Sequence, residues 1–179
     1  MNIFYWDWEF RLLYALQEMH NPVLDVIMTF VSNLGNAGAF WILLSFIFLI
    51  PKKTRKTGME MLLSIAITFL IGNLILKNLA ARMRPCQIDT TIALLIDIPK
   101  DYSFPSGHSM NGFTAAVALL CNDKRFGIPA VILAAVIAFS RLYNFVHFPT
   151  DVLFGIFLGT AVALLVDLLF RKKGWKQRA

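Results

Sequence analysis

The sequence predicts an all-α fold: a polytopic transmembrane helical bundle of five to six membrane helices, with a further N-terminal helix at the membrane interface. Three observations support this. The 179 residues are 58% hydrophobic with a mean hydropathy of +0.64, too apolar for an ordinary soluble domain of this size. Several apolar runs approach the ~20 residues that a bilayer crossing requires. Eleven of the 17 Lys and Arg fall at 52–56, 124–125 and 171–178, short segments flanking those runs in the pattern of cytoplasmic loops. That distribution assigns the net charge of +6 to the bilayer and not to nucleic acid. The length fits one domain, 1–179.

Residues 2–19 carry Phe4, Trp6, Trp8, Phe10, Leu12, Leu13 and Leu16 among Asp7, Glu9 and Arg11. This mixture suits an amphipathic helix lying in the interface and not a signal peptide. His20-Asn21-Pro22 ends it, since proline starts a helix better than it continues one. His20 has no partner nearby in sequence and reads as an interface residue. Residues 22–50 are apolar but broken at Asn33-Leu34-Gly35-Asn36-Ala37-Gly38, which fits one interrupted span or a short hairpin. Residues 58–80, 106–121, 126–146 and 149–170 read as membrane segments, and the longest polar loop lies at 82–105. A helix over 106–121 separates its ends by roughly 24 Å. A disulfide needs α-carbons within about 7 Å, so no bridge between Cys86 and Cys121 is expected.

The charge rule puts the loops at 52–56, at 124–125 and after Phe170 on the cytoplasmic side, with the C-terminus. The 82–105 loop and the turn at 146–149 then fall on the extracytoplasmic side of a cell membrane. Three polar clusters gather there. Lys77 is followed after six residues by Arg84-Pro85. Pro105-Ser106-Gly107-His108 opens one segment. Ser140-Arg141 is followed after five residues by His147, and after three more by Asp151.

These residue types suit a phosphoryl group. Lys77, Arg84 and Arg141 can neutralise its oxygens, the arginines by bidentate forks. Ser106 and the backbone N–H groups of Gly107 and His108 sit at a predicted helix start, where the dipole favours an anion. Of two histidines, one can attack phosphorus while the other protonates the leaving oxygen. Asp151 can fix the tautomer of His147, so His147 is assigned as nucleophile and His108 as acid. Arg82 reads as snorkelling to the interface. Asp25, Asp167, Asn73 and Asn78 read as helix-packing or interfacial groups.

The three clusters, in order and at these spacings, resemble the signature of the type 2 phosphatidic acid phosphatase (PAP2) superfamily over a core of about 58–170. The resemblance implies a helical membrane lipid phosphatase working through a phosphohistidine, with no metal or other cofactor. It implies phosphate binding by Lys77, Arg84, Ser106, Gly107 and Arg141, with His108 as acid and His147 as nucleophile oriented by Asp151. Two positions depart from many relatives: Phe145 stands where glycine is common, and Cys86 where a basic residue is common. The expected substrate is a membrane lipid, with undecaprenyl pyrophosphate first. Phosphatidylglycerophosphate or phosphatidate is the alternative. An anion or lipid transporter, or a non-catalytic lipid-binding protein, is the distant one.

Overall fold

The computed structural model describes residues 3–172, which form helices and loops with no β-strand among them. Residue 2 of the expected interfacial segment, the basic residues Lys173, Lys176 and Arg178, and the C-terminus lie outside the described residues.

Helix α1, Asp7–Gln17, occupies the middle of the expected interfacial segment. Trp6 and Trp8 are exposed on it, while Phe10 and Leu13 turn inward. Helix α2, Pro22–Leu34, starts where proline and a capping asparagine dictate. Asn21 Oδ1 accepts from the Leu24 N–H at 3.1 Å, and Pro22 takes the first helical position. A bend of 44° then separates α2 from the short turn Asn36–Gly38 and α3, Ala39–Leu49. Gly38 takes a left-handed backbone there, with φ of 68°. The interrupted segment is thus a broken pair of helices.

Helix α4, Arg55–Thr68, runs through a π-helical stretch, Phe69–Leu76, into α5, Lys77–Ala80, as one continuous rod of 26 residues. After a single turn, α6 at Pro85–Ile88, the 82–105 loop leads to α7, Gly107–Asn122. Helix α8, Lys124–Tyr143, and α9, Pro149–Lys172, complete the described chain.

Among the described residues, three helices are long and apolar enough to cross a bilayer: Arg55–Ala80, Lys124–Tyr143 and Pro149–Lys172. A fourth is present if the bent α2–α3 pair is one span. The expected five to six also counted α7. With 16 residues α7 is about 24 Å long, short of the ~30 Å hydrocarbon core. Its surroundings explain its composition. It packs against α4, α8 and α9, and Ala115, Ala116 and Ala118 are fully buried. A helix enclosed by protein needs small side chains for close approach more than it needs hydropathy.

Gly155 and Gly159 of α9 supply the other half of that approach. A Cβ on Gly155 would stand 2.8 Å from the Ser106 carbonyl oxygen, and one on Gly159 would stand 2.9 Å from Thr114 Oγ1. One turn before Gly155 lies Asp151. Close packing of α9 on α7 therefore brings the start of both helices together, and the Ser106 N–H donates to the Asp151 carbonyl at 3.1 Å. The opposite end of the bundle collects basic residues. Lys56 Nζ donates to Asn122 Oδ1 at 3.2 Å, and Arg171 Nη2 to the Cys121 carbonyl at 3.4 Å.

A second apolar cluster joins α1 to the site. Phe10, Leu13, Cys86, Phe145, Val146 and Phe148 are buried together, with Ile92, Leu94 and Ile96 of the 82–105 loop packed against them. Cys86 is therefore a core residue here, and burial pushes its thiol up. Both cysteines are free. Phe145 adopts a left-handed φ of 57°, a backbone region that favours glycine. Its ring is fully buried beside Phe10 and Tyr14, with centroids 6.1 and 5.8 Å away. Left-handed strain costs about 1–2 kcal/mol, whereas emptying a buried phenylalanine site costs about 3–5 kcal/mol. Phe145→Gly should thus destabilise the protein by about 2 kcal/mol, read as a lower Tm in detergent. A higher Tm would show that strain outweighs packing.

His20 differs from its expected role. It stacks on Tyr143 with centroids 4.1 Å apart, its Nε2 lies 3.1 Å from the Tyr143 carbonyl, and its Nδ1 lies 3.2 Å from Asp25. Tyr143 is 123 residues away in sequence, out of reach of local reading, whereas Asp25 lies only one turn and a half along the chain. Asp25 does pack helices: it accepts from the Tyr143 hydroxyl at 2.6 Å.

Candidate active site

Helix ends build the site. Lys77 closes the long α4–α5 rod, and Arg84 precedes α6. Ser106 precedes α7, and Gly107 and His108 open it. Arg141 lies in the last turn of α8, His147 in the turn to α9, and Asp151 in the first turn of α9. All eight residues singled out in the sequence converge. Six of them, Lys77, Arg84, Gly107, His108, Arg141 and His147, line one cavity of about 840 Å³. Ser106 and Asp151 are fully buried and do not line it. Ser106 Oγ accepts from Ser109 Oγ at 3.0 Å, so the Ser106 side chain is turned toward its own helix.

His147 has two distinct sides. Its Nδ1 lies 3.6 Å from Asp151 Oδ2 and 3.5 Å from Ser103 Oγ. Its Nε2 lies 3.0 Å from Arg84 Nη1. A guanidinium only donates, so this contact needs a lone pair on Nε2 and places the ring proton on Nδ1, toward Asp151. Burial, and then the charges of Arg84, Arg141 and Lys77, push His147 well below the usual imidazole range. The ring is neutral, with its free electron pair among the cations.

Asp151 is held from three directions. Its Oδ1 accepts from Arg82 Nη1 at 2.6 Å, and its Oδ2 accepts from Ser103 Oγ at 2.5 Å and from the Phe148 N–H at 2.8 Å. His108 lines the same cavity, with Nε2 3.1 Å from Asn36 Oδ1. The α2–α3 break makes room for this ring, since a Cβ on Gly35 would collide with the His108 Cδ2.

The cations differ in how they are engaged. Arg141 is 3% exposed; its Nη1 donates to Ser32 Oγ, and its Nε has no hydrogen-bond partner among the described residues. A buried donor without a partner is rare and suits an anion. Lys77 pairs with Asp101. Arg84 also binds Asp101, through Nη2 to Oδ1 at 2.7 Å and Nε to the carbonyl at 2.9 Å. Its Nη1 donates to the Val146 carbonyl at 2.7 Å. Burial raises Asp101, but the charges and hydrogen bonds of Lys77 and Arg84 override it and hold the carboxyl well below the usual range. One carboxylate thus occupies two of the cations that the sequence pattern reserves for phosphate.

Arg82 is not a snorkelling residue. It is 1% exposed, sandwiched between the rings of Phe4 and Phe148 at 4.8 and 4.2 Å, and paired with Glu9 as well as Asp151. A buried guanidinium persists only when paired and hydrogen-bonded, and the partners come from α1 and α9, 73 and 69 residues away. Sequence reading also missed Glu9, Ser103, Asp101 and Asn36. Asn73 and Asn78, expected in packing or interfacial roles, line the cavity. Among the described residues, no group of three or more His, Cys, Asp or Glu is placed to hold a metal ion.

Membrane-length helices that end in a cationic cavity carrying two imidazoles define an integral-membrane enzyme acting on phosphoryl groups. The chain belongs to the PAP2 superfamily, whose family model matches residues 57–175, and it is a phosphatase of that type. It is 36% identical over 143 residues to an undecaprenyl-diphosphatase of Sulfolobus acidocaldarius, covering 79% of this chain and 68% of that protein. Among solved structures it resembles LpxE of Aquifex aeolicus, with a TM-score of 0.78 and 26% identity over 90% of this chain and 95% of that one. It also resembles a transmembrane PAP2-type phosphatidylglycerolphosphate phosphatase of Bacillus subtilis. There the TM-score is 0.75 and identity 31%, over 90% of this chain and 84% of that one.

Proposed function

We propose that this single-domain protein, with its catalytic core at 58–170, removes a phosphate from a lipid pyrophosphate or phosphate at the extracytoplasmic face through a phosphohistidine on His147. The two-sided placement of His147 carries this reading: Nδ1 faces Asp151 while Nε2 faces the cations. Nε2 attacks phosphorus, and the P–O bond to the leaving group breaks. Lys77, Arg84 and Arg141 neutralise the non-bridging oxygens, with the first N–H groups of α7 beside them. His108 protonates the departing oxygen and then takes a proton from the water that releases phosphate from Nε2.

The basic residues at the far end of the bundle support placing that end in the cytoplasm and the site outside. Within lipid phosphates, undecaprenyl pyrophosphate comes first. The Sulfolobus relative is named for that substrate, and a cavity of about 840 Å³ holds a head group larger than one phosphate. The likeness to the Bacillus enzyme favours phosphatidylglycerophosphate as the second reading. Phosphate release by the purified enzyme, compared across undecaprenyl pyrophosphate, phosphatidylglycerophosphate and phosphatidate by kcat/KM, decides the order. Faster turnover of either glycerolipid would displace the first choice.

A phosphoryl group must displace Asp101 from Lys77 and Arg84. Asp101→Asn removes the competing charge while keeping the side-chain shape. It should lower KM several-fold and tighten inhibition by inorganic phosphate. A raised KM would instead make Asp101 an organiser of the two cations.

A further inference from the structure

Glu9 and Arg82 form a charged unit with Asp151 that no part of the proposed reaction yet uses. Glu9 is fully buried, although Trp6 and Trp8 just before it face outward. Its Oε1 accepts from Thr150 Oγ1 at 2.7 Å and from the Thr150 N–H at 3.2 Å. Its Oε2 accepts from Arg82 Nη2 at 2.7 Å and from the Trp6 N–H at 3.0 Å. Arg82 in turn donates Nη1 to Asp151 Oδ1 and, at 2.8 Å, to Thr150 Oγ1. Its Nε donates to the Phe4 carbonyl at 3.0 Å. Thr150 is adjacent to Asp151, so Glu9 and Arg82 hold the first turn of α9 by both side chain and backbone.

Charge counting gives the unit a purpose. An arginine paired with Asp151 alone would cancel the carboxylate that faces His147. Two carboxylates on one guanidinium leave a net charge of −1. Phosphorylation of Nε2 with the proton retained on Nδ1 makes the His147 ring cationic. That cation forms in a pocket already holding Lys77, Arg84 and Arg141, so an uncancelled negative charge behind it lowers the barrier. Arg82 also fixes rotation of the carboxylate: it takes Oδ1 and leaves Oδ2 turned toward His147.

We infer that Glu9, carried by α1 outside the family-matched residues 57–175, is a positioning and charge-setting residue for the reaction, acting through Arg82 on Asp151 and so on His147. This rests on His147 as the nucleophile. Glu9→Gln keeps the shape and removes the charge. It should lower kcat, and the single-turnover rate of phosphoenzyme formation, on the order of tenfold, the scale of one nearby charge at an effective dielectric constant of about 20. KM should stay within about twofold, because Glu9 does not line the cavity. Glu9→Asp, which keeps the charge, should recover most of the lost rate. Arg82→Lys, which keeps a charge but loses the fork, should also lower kcat more than it changes KM.

The inference is overturned if Glu9→Gln keeps the wild-type kcat, if Glu9→Asp loses as much rate as Glu9→Gln, or if the loss falls on KM. It is equally overturned if both Glu9 variants lose folded protein, which would make Glu9 a structural residue only. His147→Ala, measured alongside, separates this from the underlying reading. If that variant still turns over, the nucleophile assignment fails. If it is inactive while Glu9→Gln is normal, only the role of Glu9 fails.

Discussion

His147→Ala should abolish phosphate release while leaving a folded, detergent-extractable protein. A reaction that passes through a covalent intermediate on one nitrogen has no second route when that nitrogen is gone. Nucleophile deletions in enzymes that use a catalytic unit lower kcat by on the order of 10⁶. The fold should survive because the deletion strands little. Arg84 keeps its bonds to the Val146 carbonyl and to Asp101, and Asp151 keeps Arg82, Ser103 and the Phe148 N–H. The measurement pairs phosphate release with a thermal unfolding curve in the same detergent. Chelation supplies a second arm: wild-type activity should persist in excess chelator. Turnover by the alanine variant, or chelator-sensitive activity restored by a divalent cation, would falsify the phosphohistidine route.

The sequence made the helical class and all eight clustered residues legible because both depend on local patterns. Apolar runs and basic flanks follow from the bilayer, and the spacing of Lys77 to Arg84 or His147 to Asp151 follows from helix ends that must meet. What it concealed depends on contacts across the chain. Arg82 looked like an interfacial residue because Glu9 and Asp151 stand far from it in sequence. Glu9 looked like the polar face of an interfacial helix, although it is the most buried acid of α1. Asp101 carried no signal of its own, since only the fold swings the 82–105 loop back onto Lys77 and Arg84. Helix α7 was read as a crossing, and the contacts by which only 16 residues run from the site at Ser106 to Asn122 beside Lys56, enclosed by α4, α8 and α9, belong to the fold. Phe145 could be noted as a departure from glycine, but its left-handed φ and the aromatic cluster that holds it belong to the structure.

His108→Ala should separate the two bond-breaking steps, and its effect should depend on the leaving group. His108 lines the same cavity as His147, with its Nε2 held 3.1 Å from Asn36 Oδ1, and is the second imidazole available to protonate a departing oxygen. For a lipid phosphate monoester that oxygen leaves as an alkoxide, close in basicity to hydroxide, whose conjugate acid water has a pKa of about 15.7. General-acid help is then worth about 10²–10⁴-fold. For a lipid pyrophosphate the leaving oxygen belongs to a phosphate, with a pKa of about 6, and needs far less help. The first step of the variant should therefore collapse with phosphatidate and nearly persist with undecaprenyl pyrophosphate. Hydrolysis of the phosphohistidine still lacks its base, so the pyrophosphate should give a burst followed by a slow steady state, with phosphoenzyme accumulating. Rapid-quench measurement of both substrates reads the two steps directly. An equal loss in the first step for both leaving groups, with no burst, would remove the acid role from His108 and reassign it to holding the α2–α3 break.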